Sequence, residues 1–220
     1  MDQLINLFNV NTIFFTLFDY PMSYIEFFGT ILNIAAVYLV AKNKIWTWPI
    51  GNLGAVLFLI LFFQIQLYSD FIEQVYYIIT GFYGWWVWSK QDKNQNTKEL
   101  SGITTNSTKS NYIYGLFIVI GTVILGYCTS NFNIWLPRYF QEAASYAYLD
   151  AMTTIMSFAA TILMIGKKIE NWYLWILVDI IGIWLYYAKG VVLISLLYVV
   201  FLVLATQGYF YWKKLLATKN

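Results

Sequence analysis

Lys168 to Asp179 reads K-I-E-N-W-Y-L-W-I-L-V-D, and 124 residues earlier Lys44 to Ala55 reads K-I-W-T-W-P-I-G-N-L-G-A. Lys, Ile, Trp and Leu fall at the same places in both. The same shift continues without a gap in either direction. Tyr24 falls on Tyr148, Thr30 and Ile31 on Thr154 and Ile155, and Ala35 and Ala36 on Ala159 and Ala160. Further on, Gly84 meets Gly208, Trp88 meets Trp212 and Lys90 meets Lys214. From 24 to 90 there are 15 identities in 67 positions, above what chance pairing in so apolar a chain returns. Two related hydrophobic units in one chain are the organisation of a transporter.

Composition sets the solvent. The chain is 60% hydrophobic, 21% aromatic and 11% charged, where soluble domains carry about 25% charge. A soluble globule of 220 residues has no interior for this much apolar side chain, so the lipid bilayer is the expected partner. Met1-Asp2 lacks a basic leader and asparagines interrupt the apolar run, so no signal-peptide layout is expected. Cys128 is the single cysteine, which leaves packing as its default role. The absence of histidine removes the commonest general base and metal ligand. No G-x-x-x-x-G-K-[ST] loop is present, so the chain does not hydrolyse ATP by itself. No catalytic residues, metal, cofactor or nucleic-acid partner are expected.

Helices of about 20 apolar residues cross the hydrocarbon. The pattern predicts seven, at about 22–41, 48–66, 69–89, 112–130, 147–165, 172–188 and 191–212. The stretch 4–19 is apolar but short and broken by Asn6, Asn9 and Asn11. It reads as an interfacial helix, with an eighth span as the alternative. The polar stretch 90–110 reads as a solvent loop. On seven spans, eleven of the 13 basic residues fall on one side, and only Arg138 and Lys189 on the other. That bias makes the lysine-rich side cytoplasmic, with the N-terminus outside and the C-terminus inside. The fourth span has no partner in the repeat. Crossing once, it returns the second unit to the same sense, so the repeats are parallel. The expected fold is all-α and membrane-embedded: two parallel three-helix repeats joined by a central helix. Residues 1–20 form an N-terminal interfacial segment, 21–90 the first repeat and 91–111 a cytoplasmic loop. Residues 112–130 are the linking helix, 131–146 an outer loop, 147–214 the second repeat and 215–220 a cytoplasmic tail.

Places where the repeats differ are informative, because a substrate is not two-fold symmetric. Ala55 aligns with Asp179, Gly51 with Trp175 and Gln74 with Tyr198. A carboxylate inside a span costs several kcal/mol unless paired or wetted, which marks Asp179 as functional or as a structural hydrogen-bonding group. Trp175 lies one turn earlier on the same helix face. A tryptophan beside a carboxylate suits a flat cationic ring. Glu73 and Gln74 are neighbours about 100° apart around a helix; one faces the cavity, and Gln74 is favoured. Asp70, Asp150 and Glu26 read equally as solvated caps. Trp85, Trp86, Trp88 and Trp212 read as an interfacial belt. Trp184 and the Tyr186-Tyr187 pair lie where they could line a pathway, and Lys189 reads as a turn residue before Gly190. Gly29, Thr30, Ala35, Ala36, Thr153, Thr154, Ser157, Ala159 and Ala160 allow close helix packing.

L-Y-S-D-F-I-E-Q (Leu67 to Gln74), Y-G-W-W (Tyr83 to Trp86), Asp150-Ala151, the run Lys167 to Asp179, Y-Y-A-K-G (Tyr186 to Gly190) and L-L-Y (Leu196 to Tyr198) together resemble the PnuC family of bacterial vitamin transporters. The resemblance runs from about 20 to 214. It implies a three-plus-one-plus-three helix fold, similar in packing to the SWEET sugar transporters. It implies facilitated diffusion of nicotinamide riboside across the bacterial inner membrane, a homotrimer, and trapping of the substrate by a cytoplasmic kinase. Relatives carry thiamine or riboflavin. The family's site lies mid-membrane between the units. Carried over, the substrate-binding candidates are Trp175, Asp179 and Gln74, followed by Trp172, Asn171, Tyr198, Asn52 and Trp48. The chain departs at Val191 to Ser195, where a Leu-Tyr is expected after Gly190.

Nicotinamide riboside is a cationic pyridinium with a carboxamide and a ribose. Thiamine is also a cationic aromatic, so the same groups suit both; riboflavin is neutral and larger. A separate class of function is a substrate-binding membrane subunit that needs an ATPase partner. The parallel repeat around an odd central helix speaks against it.

Overall fold

A computed structural model describes residues 6–17, 20–65, 68–93, 102–139, 144–190 and 192–218. The middle of the expected loop, 94–101 with its lysine, therefore lies outside the described residues. Seven helices follow a short hairpin: α1 Tyr24–Ala41, α2 Thr47–Gln64, α3 Tyr68–Lys93, α4 Thr108–Trp135, α5 Ala147–Ile165, α6 Asn171–Ala188 and α7 Val192–Ala217. The expected spans match these within a few residues. Five of the seven, α1, α2, α4, α5 and α7, are long and apolar enough to cross a membrane. In α3 the apolar run is diluted by Asp70, Glu73 and Lys90, and in α6 by Asn171, Asp179 and the polar ends of three tryptophans and tyrosines at each end of the helix.

The N-terminal stretch departs from expectation. Ile13–Leu17 (β1) and Tyr20–Ser23 (β2) pair as antiparallel strands, so the helix expected over 4–19 gives way to a strand at 13–17. I-F-F-T-L is β-branched and aromatic, which favours a strand, and Asn9 and Asn11 before it take part in turn hydrogen bonds. Phe14 and Phe15 pack on Tyr24 and Phe27 of α1. Gln64, at the end of α2, holds the preceding chain by two bonds: Val10 N–H donates to its Oε1 at 2.9 Å, and its Nε2 donates to Phe8 O at 2.6 Å. Ser23 then caps α1 by accepting from Glu26 N–H, a Ser-x-x-Glu start signal. Glu26 also accepts from the Tyr20 hydroxyl at 2.7 Å. Burial, and then Glu26, push that hydroxyl up to about 12.

The described chain forms two compact units that divide between Glu99 and Leu100. In unit 1, α1 packs on α2 and α2 on α3; in unit 2, α4 packs on α5, α5 on α6 and α6 on α7. Close approach is bought by small residues. Ala36 lies against Gly51, Ala159 and Ala160 are sealed in unit 2, and Gly126 of α4 seats the Tyr148 ring of α5. The rest of α4 is almost uncovered: Ile113, Leu116, Val119, Val123 and Ile124 are exposed, an apolar surface that suits lipid.

Both units turn their first corner in the same way. Asn43 and Lys167 share a left-handed backbone, at φ 54° and 50°. Lys44 N–H bonds to Leu39 O at 2.9 Å, and Lys168 N–H bonds to Leu163 O at 2.8 Å. Beyond the corner, Trp48 meets Trp88 and Trp172 meets Trp212, each pair edge to face with centroids 5.4 Å apart. Trp88 is 1% exposed and Trp212 is fully buried, so neither belongs to an interfacial belt. An edge-to-face partner offset the hydration each ring gave up. Trp85 and Trp86 are exposed, as a belt requires.

The corner of unit 2 carries an addition. Thr104 bridges Lys168 as a parallel strand residue, with Thr104 N–H on Lys167 O and Ile169 N–H on Thr104 O. Lys168 Nζ donates to Thr104 Oγ1, Asn106 N–H donates to Glu170 Oε1 at 2.8 Å, and Ile103 is fully buried. Residues 102–106 are thus a strap fixed to unit 2 rather than a solvent loop. One apolar side chain in a polar stretch was its only signal.

Candidate functional site

Trp175, Asp179, Gly182 and Tyr186 are spaced by four, three and four residues along α6, so they form one stripe on its surface. Asp179 is 3% exposed, and no hydrogen bond or ion pair joins its side chain to another described residue. Trp175 is half-buried one turn before it. One helix therefore offers an enclosed, unpaired carboxylate beside an aromatic face. That combination attracts a cation with a flat ring and repels an anion.

Tyr198 of α7 lies across the same stripe. A Cβ on Gly182 would meet its ring at 2.5 Å, so only glycine fits beneath it. Tyr186 stacks on Tyr198 with centroids 5.2 Å apart and planes 20° from parallel. Of the sequence candidates, Trp175 and Asp179 thus share one face of α6, and Tyr198 packs on the same face at Gly182, one turn beyond Asp179. Gly182 was missed, although its position seven residues after Trp175 was readable.

In unit 1, Gln74 of α3 is buried and Glu73 beside it is half-buried, accepting from Tyr77 Oη at 3.1 Å. Asn52 of α2 is buried against Gly81 of α3, where a Cβ would collide with its Oδ1. Its Nδ2 has no hydrogen-bond partner among the described residues. Asn33 fills the neighbouring space over Gly54. Unit 1 thus has a polar, uncharged interior on α1 and α2.

The remaining candidates sit in packed surroundings. Trp48 and Trp172 are held in the edge-to-face pairs, and the Nε1 of each is buried without an acceptor. Asn171 is fully buried at the start of α6, and its Nδ2 donates to Lys168 O at 2.6 Å, closing the corner. Thr47, at the same register in unit 1, bonds instead to Ala36 O. These contacts give Trp48, Trp172 and Asn171 a structural task whatever else they do. Among the described residues no group of His, Cys, Asp and Glu could hold a metal ion.

A family model described as nicotinamide mononucleotide transporter matches residues 23–214. The nicotinamide riboside transporter PnuC of Escherichia coli (strain K12) is 28% identical over 211 residues, covering 88% of this chain and 86% of that one. PnuC of Neisseria mucosa is 26% identical over 202 residues, covering 89% of this chain and 74% of its own. The riboflavin/roseoflavin transporter RibM of Streptomyces davaonensis is 24% identical over 204 residues, covering 92% and 91%. Among solved structures, the crystal structure of the vitamin B3 transporter PnuC is similar with a TM-score of 0.68. At 21% identity, covering 99% of this chain and 88% of that chain, this likeness speaks for the fold.

Proposed function

The chain belongs to the nicotinamide mononucleotide transporter family, and we propose that this member takes up nicotinamide riboside by facilitated diffusion. It is a multi-pass membrane transporter rather than an enzyme, as its relatives are. Asp179 carries the choice of substrate. An unpaired carboxylate enclosed in a span is costly, and a pyridinium ring supplies the missing positive charge. Trp175 then stacks the ring, and Tyr198 offers a hydroxyl to the ribose. Gln74 and Asn52 are amides of the kind that pairs with a carboxamide. Trp48, Trp172 and Asn171 support these from their packed positions.

The mechanism that suits such a chain needs no ATPase. Seven spans in two parallel repeats, three plus one plus three and SWEET-like, alternate between outward- and inward-open states. The lysine-rich side is cytoplasmic, with the N-terminus outside. A kinase in the cytoplasm keeps the gradient inward by phosphorylating the riboside, and the chain assembles as a homotrimer.

Purified chain in liposomes tests this directly. It should equilibrate labelled nicotinamide riboside without ATP; dependence on an added ATPase would assign it to the subunit class instead. Riboflavin is a second reading, supported by the similarity to RibM. Thiamine shares the cationic ring. Calorimetric titration with the three vitamins side by side ranks them, and tightest binding of neutral riboflavin would overturn the role given to Asp179.

A further inference from the structure

Unit 2 contains a polar chain of contacts that the recognition of a cationic ring does not itself use. Lys189, the residue that closes α6, places Nζ 2.7 Å from both Oδ1 and Oδ2 of Asp150 in the first turn of α5. The same Nζ lies 5.6 Å from the centroid of the Tyr186 ring. Tyr186 in turn stacks on Tyr198, which is pressed against Gly182. Three helices are joined in series: α5 through Asp150, α6 through Lys189 and Tyr186, and α7 through Tyr198.

Each link has a physical reason to hold. An ammonium bound to both carboxylate oxygens has charge-assisted bonds. Asp150 is favourably placed at a helix N-terminus and Lys189 at a C-terminus. The Lys189 cation is also within cation–π reach of the Tyr186 ring. The equivalent positions of unit 1 do not repeat this series. The registers of Asp150, Gly182, Tyr186, Lys189 and Tyr198 hold Glu26, Phe58, Phe62, Ile65 and Gln74. Glu26 is occupied by Tyr20 instead. The series is therefore specific to the unit that carries Asp179.

We propose that Asp150, Lys189 and Tyr186 are positioning residues: they brace the Tyr198 ring against Gly182, fixing the aromatic wall two turns from Trp175 and so setting affinity for a flat cationic substrate. The ion pair is partly solvent-accessible, with the Lys189 and Asp150 side chains 26% and 37% exposed. It acts through orientation and contributes little to global stability. This rests on the placement of Tyr198 in the substrate site.

The test is calorimetric titration of the purified full chain with nicotinamide riboside. Lys189→Gln and Asp150→Asn should each raise Kd by about 3- to 10-fold, while Lys189→Arg, which keeps the ion pair, stays within about 2-fold. Tyr198→Ala should weaken binding on its own, and adding Lys189→Gln to it should cost nothing more, because the brace then has no ring to hold. Tyr186→Leu should likewise abolish the effect of Lys189→Gln, giving the same test if Tyr198→Ala fails to fold. Unchanged Kd in both single pair variants, or additive losses with Tyr198→Ala, overturn the brace alone. Wild-type affinity in Tyr198→Ala overturns the placement of Tyr198 and the brace with it.

Discussion

Gly208 lies so close to Trp172 that a Cβ there would stand 2.5 Å from the indole Cη2. Gly84 is in the same relation to Trp48. In each unit the last helix gives up a side chain so that a tryptophan of the middle helix can reach its edge-to-face partner.

Gly208→Ala and Gly84→Ala should therefore each destabilise the protein by about 1–3 kcal/mol through overpacking. Gly115→Ala on α4, where nothing lies within 4 Å of the added carbon, should leave stability unchanged or slightly raised. Thermal unfolding in detergent reads all three, and equal melting temperatures would remove the packing role.

Asp179→Asn should move binding and stability in opposite directions. Losing the charge should weaken nicotinamide riboside binding by about 1–3 kcal/mol. Removing an enclosed, unpaired carboxylate should leave the substrate-free protein as stable or more so. A destabilised variant with normal affinity would make Asp179 a structural group.

Trp175→Ala and Gln74→Ala should each weaken binding by about 1–3 kcal/mol, from a lost aromatic contact or a lost buried hydrogen bond. Calorimetry on the purified variants measures this, and wild-type affinity would take either residue out of the site.

Ile103→Ala should release the strap of unit 2 at a cost of about 2–4 kcal/mol. Glu170→Ala should do so more mildly by freeing Asn106 N–H. Hydrogen exchange at Thr104 and Ile169 is the direct readout, since both amides are held by this bridge. Protection equal to wild type in Ile103→Ala would show that the strap is not anchored by its side chain.

Much of this was legible in the sequence because hydropathy and spacing are local. The helix bounds followed from apolar length, and the repeat from matching residues at one shift. Trp175 and Asp179 were readable as one turn apart. Contacts between helices were not. Trp88 and Trp212 resemble belt residues until an edge-to-face partner from another helix appears. Lys189 is the turn residue its position before Gly190 suggests, but nothing local announces its ion pair with Asp150, 39 positions away. The strap escaped for the same reason: a lone isoleucine among polar residues has no period to betray it.

The shared corner has a consequence for how such a chain can diversify. α2 and α6 are anchored at their first turn by the same backbone bonds and the same tryptophan pair, while the residues one and two turns further on differ completely: Gly51, Ala55 and Phe58 in one, Trp175, Asp179 and Gly182 in the other. Folding information and ligand information occupy different lengths of a single helix. After a duplication, the distal length can be rewritten towards a new vitamin without disturbing the proximal length that makes the helix pack.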